Sequence, residues 1–462
     1  MDRKVYSVND RYETAIINGS VINVISGEIS KLNIGINKGK VVAITTEIIE
    51  GWKEINAKGL HVSPGFIDFH SHVDGNPYAA RCMVRQGGTT SLGGERDLNS
   101  KTIRKIDDEG FIINQGFSIS QSFVLRSAVG ILDPYKPATD VEIGIMKDLA
   151  RSFLEYGAIG ICFVLELIPG TSRKELIEIS KVAKEFDRPV SVHMRKDGRE
   201  ALLHFDELLE VASSGTSLHL QQLMYMVGIG KAMRPALKII TDGRNGGLDI
   251  TADSGVYDAY TVSIGTGVFD EGWESEYGNA STKDLLISSG TYMGQYCNDE
   301  LFRHLRDEYP ATLVTAFVCD KEAISLALKK EFVYVSTNAT DGPYYPGIGA
   351  PEVSGTFPRL LGKYVREEKI LTLVEAIRKI TIMPATRFGL KKIGSIELDK
   401  NADIVIFDNE KIIDKADFIC KGHPDAPPVG INYVLVNGEV VVENNRITEN
   451  LNAGRLIKVG IV

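Results

Sequence analysis

The chain has 462 residues, 43% of them hydrophobic and 24% charged, which excludes disorder as its main state. Its 52 Lys+Arg against 61 Asp+Glu give a formal charge of −9, and no basic run or stripe of a nucleic-acid binder is present. The five scattered cysteines do not suit a disulfide framework and fit a reducing compartment. The opening MDRKVYSVND has no apolar signal core, and no stretch approaches the roughly 18 apolar residues of a membrane span. These features lead to the expectation of a cytoplasmic globular protein with neither nucleic acid nor membrane as partner. Oligomeric state is left open, a homo-oligomer included.

Taken in chain order, the first 62 residues read as short strands, with turn signals at Asn18-Gly19 and Lys38-Gly39. The chain ends in the same style, with ADIVIFD, then INYVLVNGEVVV around Asn437-Gly438. Neither end is long enough to close a core alone, so residues 1–62 and 390–462 are expected to share one small β-sandwich. Residues 63–389 read differently. Eight apolar, β-rich runs recur there: GFIDF, TTSL, FSISQSF, AIGICFV, PVSVHM, TSLHL, LDITAD and FVYVSTN. Between several of them lie helical patterns such as EIGIMKDLARSFLEYG and RKELIEISKVAKEF. Strand–helix alternation indicates parallel βα units, and eight of them suit an α/β fold of the (β/α)₈ TIM-barrel type. Residues from about 266 to 311, with Trp273, exceed a minimal barrel and are expected to cover its mouth.

The chemistry-bearing residues stand at predicted strand ends. Asp68, His70 and His72 follow the first run and alternate onto one face, so two imidazoles can grip one ion. His193 closes PVSVH and His219 sits in the TSLHL run. Any one of these is most simply a core histidine, but four of the chain's eight at strand ends point to a zinc-like site. His61, His204, His304 and His423 have no such placement and read as structural or solvated. Asp341, just past the last strand, is an ordinary Asp-Gly turn on its own. Beside a metal it could ligate and also take the proton of a water whose pKa the metal lowers.

On these motifs the chain resembles the amidohydrolase superfamily and, within it, the D-aminoacylase family. SPGFIDFHSH, GGTTSLGG, GAIGICFVLELIPG, VHMR, GTFPRLLGKYVRE and LTLVEAIRKITIMPATRFGL carry the resemblance, which spans nearly the whole chain. It implies a metal-dependent-hydrolase barrel with one or two zinc ions, an N/C-terminal β-sandwich, and hydrolysis of a small-molecule amide at a non-peptide C–N bond by metal-bound hydroxide. His70, His72, His193, His219 and Asp341 match the family's ligand and base positions. A cyclic-amide hydrolase or a deaminase is the alternative chemistry on such a barrel, and a non-catalytic subunit the alternative to an enzyme.

Three departures stand out. Where the family carries a metal-anchoring cysteine after the second strand, this chain has Arg96, and Glu95 is expected to take its place. Cys162 is the weaker candidate. The family's His-His-Lys segment reads His219-Leu220-Gln221, and a family arginine that holds the substrate carboxylate is Glu352 here. The loss of two basic groups implies a substrate neutral or cationic at that end. The competing reading leaves Glu352 in solvent while Arg195 or Arg359 supplies the anchor. Tyr257 and Tyr260 both match the region of a family tyrosine that contacts the oxyanion or the carboxylate, and the sequence does not choose between them.

Overall fold

The computed structural model describes residues 11–94, 100–338, 346–448 and 452–460. Eight parallel strands stand in chain order: Phe66–Asp68, Gly88–Gly93, Asn114–Ser120, Ile161–Val164, Val190–His193, Leu218–Leu220, Ile250–Ser254 and Val333–Val335. Each of the eight apolar runs supplies one strand, in the architecture of a (β/α)₈ barrel with a small β domain. The third strand is broken at Ser118 and serves two neighbours. Before the break it pairs with Gly88–Gly93, and after it with Ile161–Val164. It begins three residues earlier than FSISQSF suggests, and Gln121–Leu125 leaves the sheet as a π-helical turn capped by the Ser120 hydroxyl. At the other side of the ring the Asn338 N–H donates to His70 O at 3.1 Å, joining the ends of the eighth and first strands.

The helical patterns form where periodicity places them. Asp140–Tyr156 starts at a Thr139–Glu142 capping box and ends at Gly157 in the left-handed region (φ +113°). Arg173–Glu185 starts at the Ser172 cap. Both bury an apolar face in the core that the barrel strands share, and those strands are buried throughout.

Strands from both ends of the chain share one nine-stranded sheet, joined where Ile404–Phe407 pairs antiparallel with His61–Pro64. It encloses a core of its own from Ile16, Ile34, Ile36, Val62, Ile404, Ile406 and Leu435. Lys38-Gly39 and Asn437-Gly438 are hairpin turns with positive φ at both residues. Asn18-Gly19 is not a turn. It forms a bulge inside the continuous strand Tyr12–Ile22, with Asn18 at φ +64°. A side chain at position 19 would meet Val62 Cγ2 at 2.5 Å, so the close strand crossing explains the glycine. Residues 452–460 leave the sheet and run along the third barrel strand, with Gln115 bonded to Arg455 O and Ile457 N–H.

The insertion is folded. Leu285–Ile287 and Leu313–Ala316 make a three-stranded sheet with Tyr260–Ser263. Trp273 is buried between Phe269, Tyr277 and Phe302, which makes it a packing residue and not a substrate contact.

Candidate active site

Strand register sorts the interior side chains into layers. Val164 is paired with His193, and Cys162 with Ser191, so Cys162 lies one layer below His193. His219 is also level with Ser191, and Thr251 completes that lower layer. The upper layer holds His193, Gln221 and Asp253. A cavity of about 40 Å³ opens above it, lined by His72, Val164, Glu166, His193, Asp197, Gln222, Tyr225, Tyr260 and Asn338, among others.

His70 and His193 are oriented alike. His70 turns Nδ1 to Asp253 at 3.1 Å, and His193 turns Nδ1 to Glu166 at 3.1 Å. Their Nε2 atoms converge on the side-chain amide of Gln222, which accepts from His193 and donates to His70. A carboxylate behind Nδ1, with Nε2 turned toward the site, is the arrangement that fixes metal-binding imidazoles. His72 lies beside them, its ring 5.6 Å from that of His70.

Gln222 owes its place to backbone geometry. It sits in the left-handed region (φ +56°), with its N–H donating to Asp253 Oδ1 at 2.5 Å. Asp253 also accepts from the Ser336 hydroxyl. Burial would raise the Asp253 carboxyl, but the His70 and His219 imidazoles reverse this and hold it well below the usual carboxylate range. Asp68 is pushed by burial up to about 6 despite two hydrogen bonds from Thr337. It points into the strand junction below His70.

The other sequence-predicted residues divide. His219 is not at the cavity. Its ring packs against Phe69, Tyr334 and Phe388, with Nδ1 bonded to Thr251 at 2.8 Å and Nε2 3.7 Å from Asp253. Burial lowers its pKa, so it stays neutral. Tyr260 lines the cavity, whereas Tyr257 faces Asp414 and stacks under Arg359 in a separate cleft. The Tyr260 hydroxyl donates to Tyr277, whose own hydroxyl donates to Asp197, so neither proton is available to an oxyanion. Arg195 is held by both Glu207 oxygens and by two backbone carbonyls. Arg359 is paired with Asp414 at 2.9 Å. Neither arginine lines the cavity. Glu352 is buried rather than solvent-facing, and it accepts from the Tyr225 hydroxyl at 3.3 Å, one residue behind the cavity wall. Gln221 is buried in the upper layer. Glu95 and Asp341 lie outside the described residues.

Sequence reasoning missed Glu166, Asp253, Asp197 and Gln222. Asp253 ends its strand run as His193 does, and Glu166 lies within a motif already singled out. A search for strand-end carboxylates as well as histidines would have found both.

GTFPRLLGKYVRE proves to be a seam. Its Arg359 and Arg366 hold Asp414 and the carbonyls of Asn409 and Ile412. A side chain at Gly355 would meet the Tyr257 hydroxyl at 2.1 Å.

A model of the Amidohydrolase family matches residues 333–442. A D-aminoacylase of Alcaligenes xylosoxydans xylosoxydans is 26% identical over 447 residues, 87% of this chain and 88% of its own. An N-acyl-D-glutamate deacylase of the same organism is 24% identical over 478 residues, covering 93% and 94%. The chain is similar over most of its length to D-aminoacylases, and in its C-terminal part to the amidohydrolase family model. The solved N-acyl-D-glutamate deacylase of Bordetella bronchiseptica, in complex with zinc and a phosphonate inhibitor, superposes with a TM-score of 0.85 at 22% identity. It covers 97% of this chain and 100% of its own, so the D-aminoacylase fold extends over both the barrel and the small β domain.

Proposed function

We propose that the protein is a metal-dependent amidohydrolase that cleaves a non-peptide amide C–N bond of a small molecule, in the manner of the D-aminoacylases. The observation that carries the reading is the pair of carboxylate-backed imidazoles, His70 and His193, whose Nε2 atoms face one point beside the cavity. Among the described residues no three His, Cys, Asp or Glu are already gathered as an ion-holding group. The donor types at the cavity nonetheless fit zinc, held singly or as a pair by His70, His72 and His193, with Asp341 and Glu95 as the carboxylate ligands. When bound, the metal polarises the amide carbonyl and lowers the pKa of water.

The remaining work falls to side chains. Asp253 and Glu166 hold the imidazoles in one tautomer, with the lone pairs toward the ion. Asp341 takes the proton of the attacking water and returns it to the leaving nitrogen. His219 supports Asp253 from the layer below.

Asp341→Asn keeps the side-chain shape but removes the proton acceptor. Turnover should fall by roughly 10²–10⁴-fold while metal content, measured on the purified variant, is retained. Near-normal turnover would remove Asp341 from the mechanism.

A further inference from the structure

The cavity wall is unusual in what it offers a ligand. Among the described residues lining it are two carboxylates, Glu166 and Asp197, and no lysine or arginine. Asp197 is more than nine-tenths buried. Its Oδ2 accepts from the Tyr277 hydroxyl, while Oδ1 has no hydrogen-bond partner among the described residues. The two cavity tyrosines spend their protons outward, Tyr260 on Tyr277 and Tyr225 on Glu352, and so leave only oxygen lone pairs to a ligand. A buried carboxylate oxygen without a donor is costly, and two carboxylates sharing one cavity raise the cost. The surroundings do not relieve it. Glu276 adds a further negative charge near Asp197, and Lys196, which opposes it, is itself paired with Glu276 at 3.1 Å.

We propose that the substrate carries a primary ammonium group near its scissile amide, and that Asp197, with Glu166 and the Tyr260 oxygen, receives it. The three donors of an ammonium match these acceptors, and its charge balances the paired carboxylates. This rests on the amide-hydrolase reading, and it names a substrate class opposite in charge to an N-acyl amino acid held by its carboxylate.

The test uses three small probes of matched length: n-butylammonium, n-butanol and pentanoate. Calorimetry on the zinc-loaded protein should detect binding of the ammonium, with affinity about tenfold or more above the other two. Asp197→Asn, confirmed folded by its melting temperature, should remove most of that preference. Tyr260→Phe, which deletes one acceptor and no charge, should lower it about two- to fivefold. Equal binding of the three, preference for pentanoate, or a preference untouched by Asp197→Asn overturns the proposal. The same head groups are then placed on matched acetamides. Hydrolysis that favours the ammonium form supports both readings. Hydrolysis confined to the neutral or carboxylate forms overturns this one and leaves the hydrolase standing. Ammonium binding with no acetamide cleaved supports the ammonium site and counts against the hydrolase.

Discussion

Asp253 and Asp403 are both fully enclosed carboxylates, one at the cavity end of the barrel and one at its seam with the nine-stranded sheet. Burial raises each of them. At Asp253 the His70 and His219 imidazoles, with the Gln222 N–H and the Ser336 hydroxyl, overcome that and keep the group ionised. At Asp403 the donors are neutral amides only, the Asn437 N–H at 2.7 Å and Asn114 Nδ2 at 3.1 Å, and the carboxyl is pushed up to about 6. The same residue type, buried alike, is thus held firmly ionised at one end and is much more easily protonated at the other. What separates them is the donor set: imidazoles and a hydroxyl join the backbone N–H at Asp253, while only amides reach Asp403. At the cavity end an ionised carboxylate is held firmly, and at the seam ionisation is disfavoured.

The contrast is tested most severely by exchanging histidines between layers. His193→Ala removes an imidazole of the upper layer. It should cut both zinc content and turnover, turnover by more than about 100-fold, since losing even an outer partner of such an imidazole costs 10–100-fold. His219→Ala empties a space among Phe69, Tyr334 and Phe388 and should instead cost about 3 kcal/mol of stability, with zinc retained. Loss of zinc in His219→Ala would place that ring on the metal and erase the difference between the layers. Asp253→Asn comes next. Without its carboxylate His70 loses its orienting partner, and zinc affinity, measured by competition with a chelator, should fall about 10–100-fold. Unchanged affinity would leave Asp253 a packing residue.

The sequence made the barrel legible because each strand is a short apolar run and each helix carries its own cap and period. His70, His72 and His193 were legible for the same reason, as polar residues closing apolar strands. His219 looked identical in the sequence. Alternation tells which side of a strand a residue faces, but the layer depends on the register between neighbours, and that is set by pairing across the sheet. Arg195 and Arg359 looked like anchors because a lone arginine in sequence shows no partner; their carboxylates, Glu207 and Asp414, are 12 and 55 residues away. The Asn18-Gly19 bulge was hidden in the same way, since the Val62 contact that shapes it comes from a strand over 40 residues later.

The smallest effect is expected at the seam, and its sign follows from the direction of the Asp403 shift. The folded value of about 6 lies above the ordinary 3.8, so folding favours the protonated group. The stability this supplies is fully present below pH 3.8 and is lost as pH rises through about 6. At neutral pH the folded protein holds the carboxylate ionised, at a cost of about 3 kcal/mol relative to its protonated form. Asp403→Asn is neutral throughout. It keeps an oxygen for the Asn437 N–H but places an amide against Asn114, a pH-independent loss of about 1 kcal/mol. The variant should therefore be slightly less stable than the parent at pH 4 and should gain on it steadily up to pH 7. Every other titrating group cancels in the difference between the two melting curves. Parallel curves across that range would mean that Asp403 is ionised without penalty, and that the seam tolerates charge as well as the cavity does.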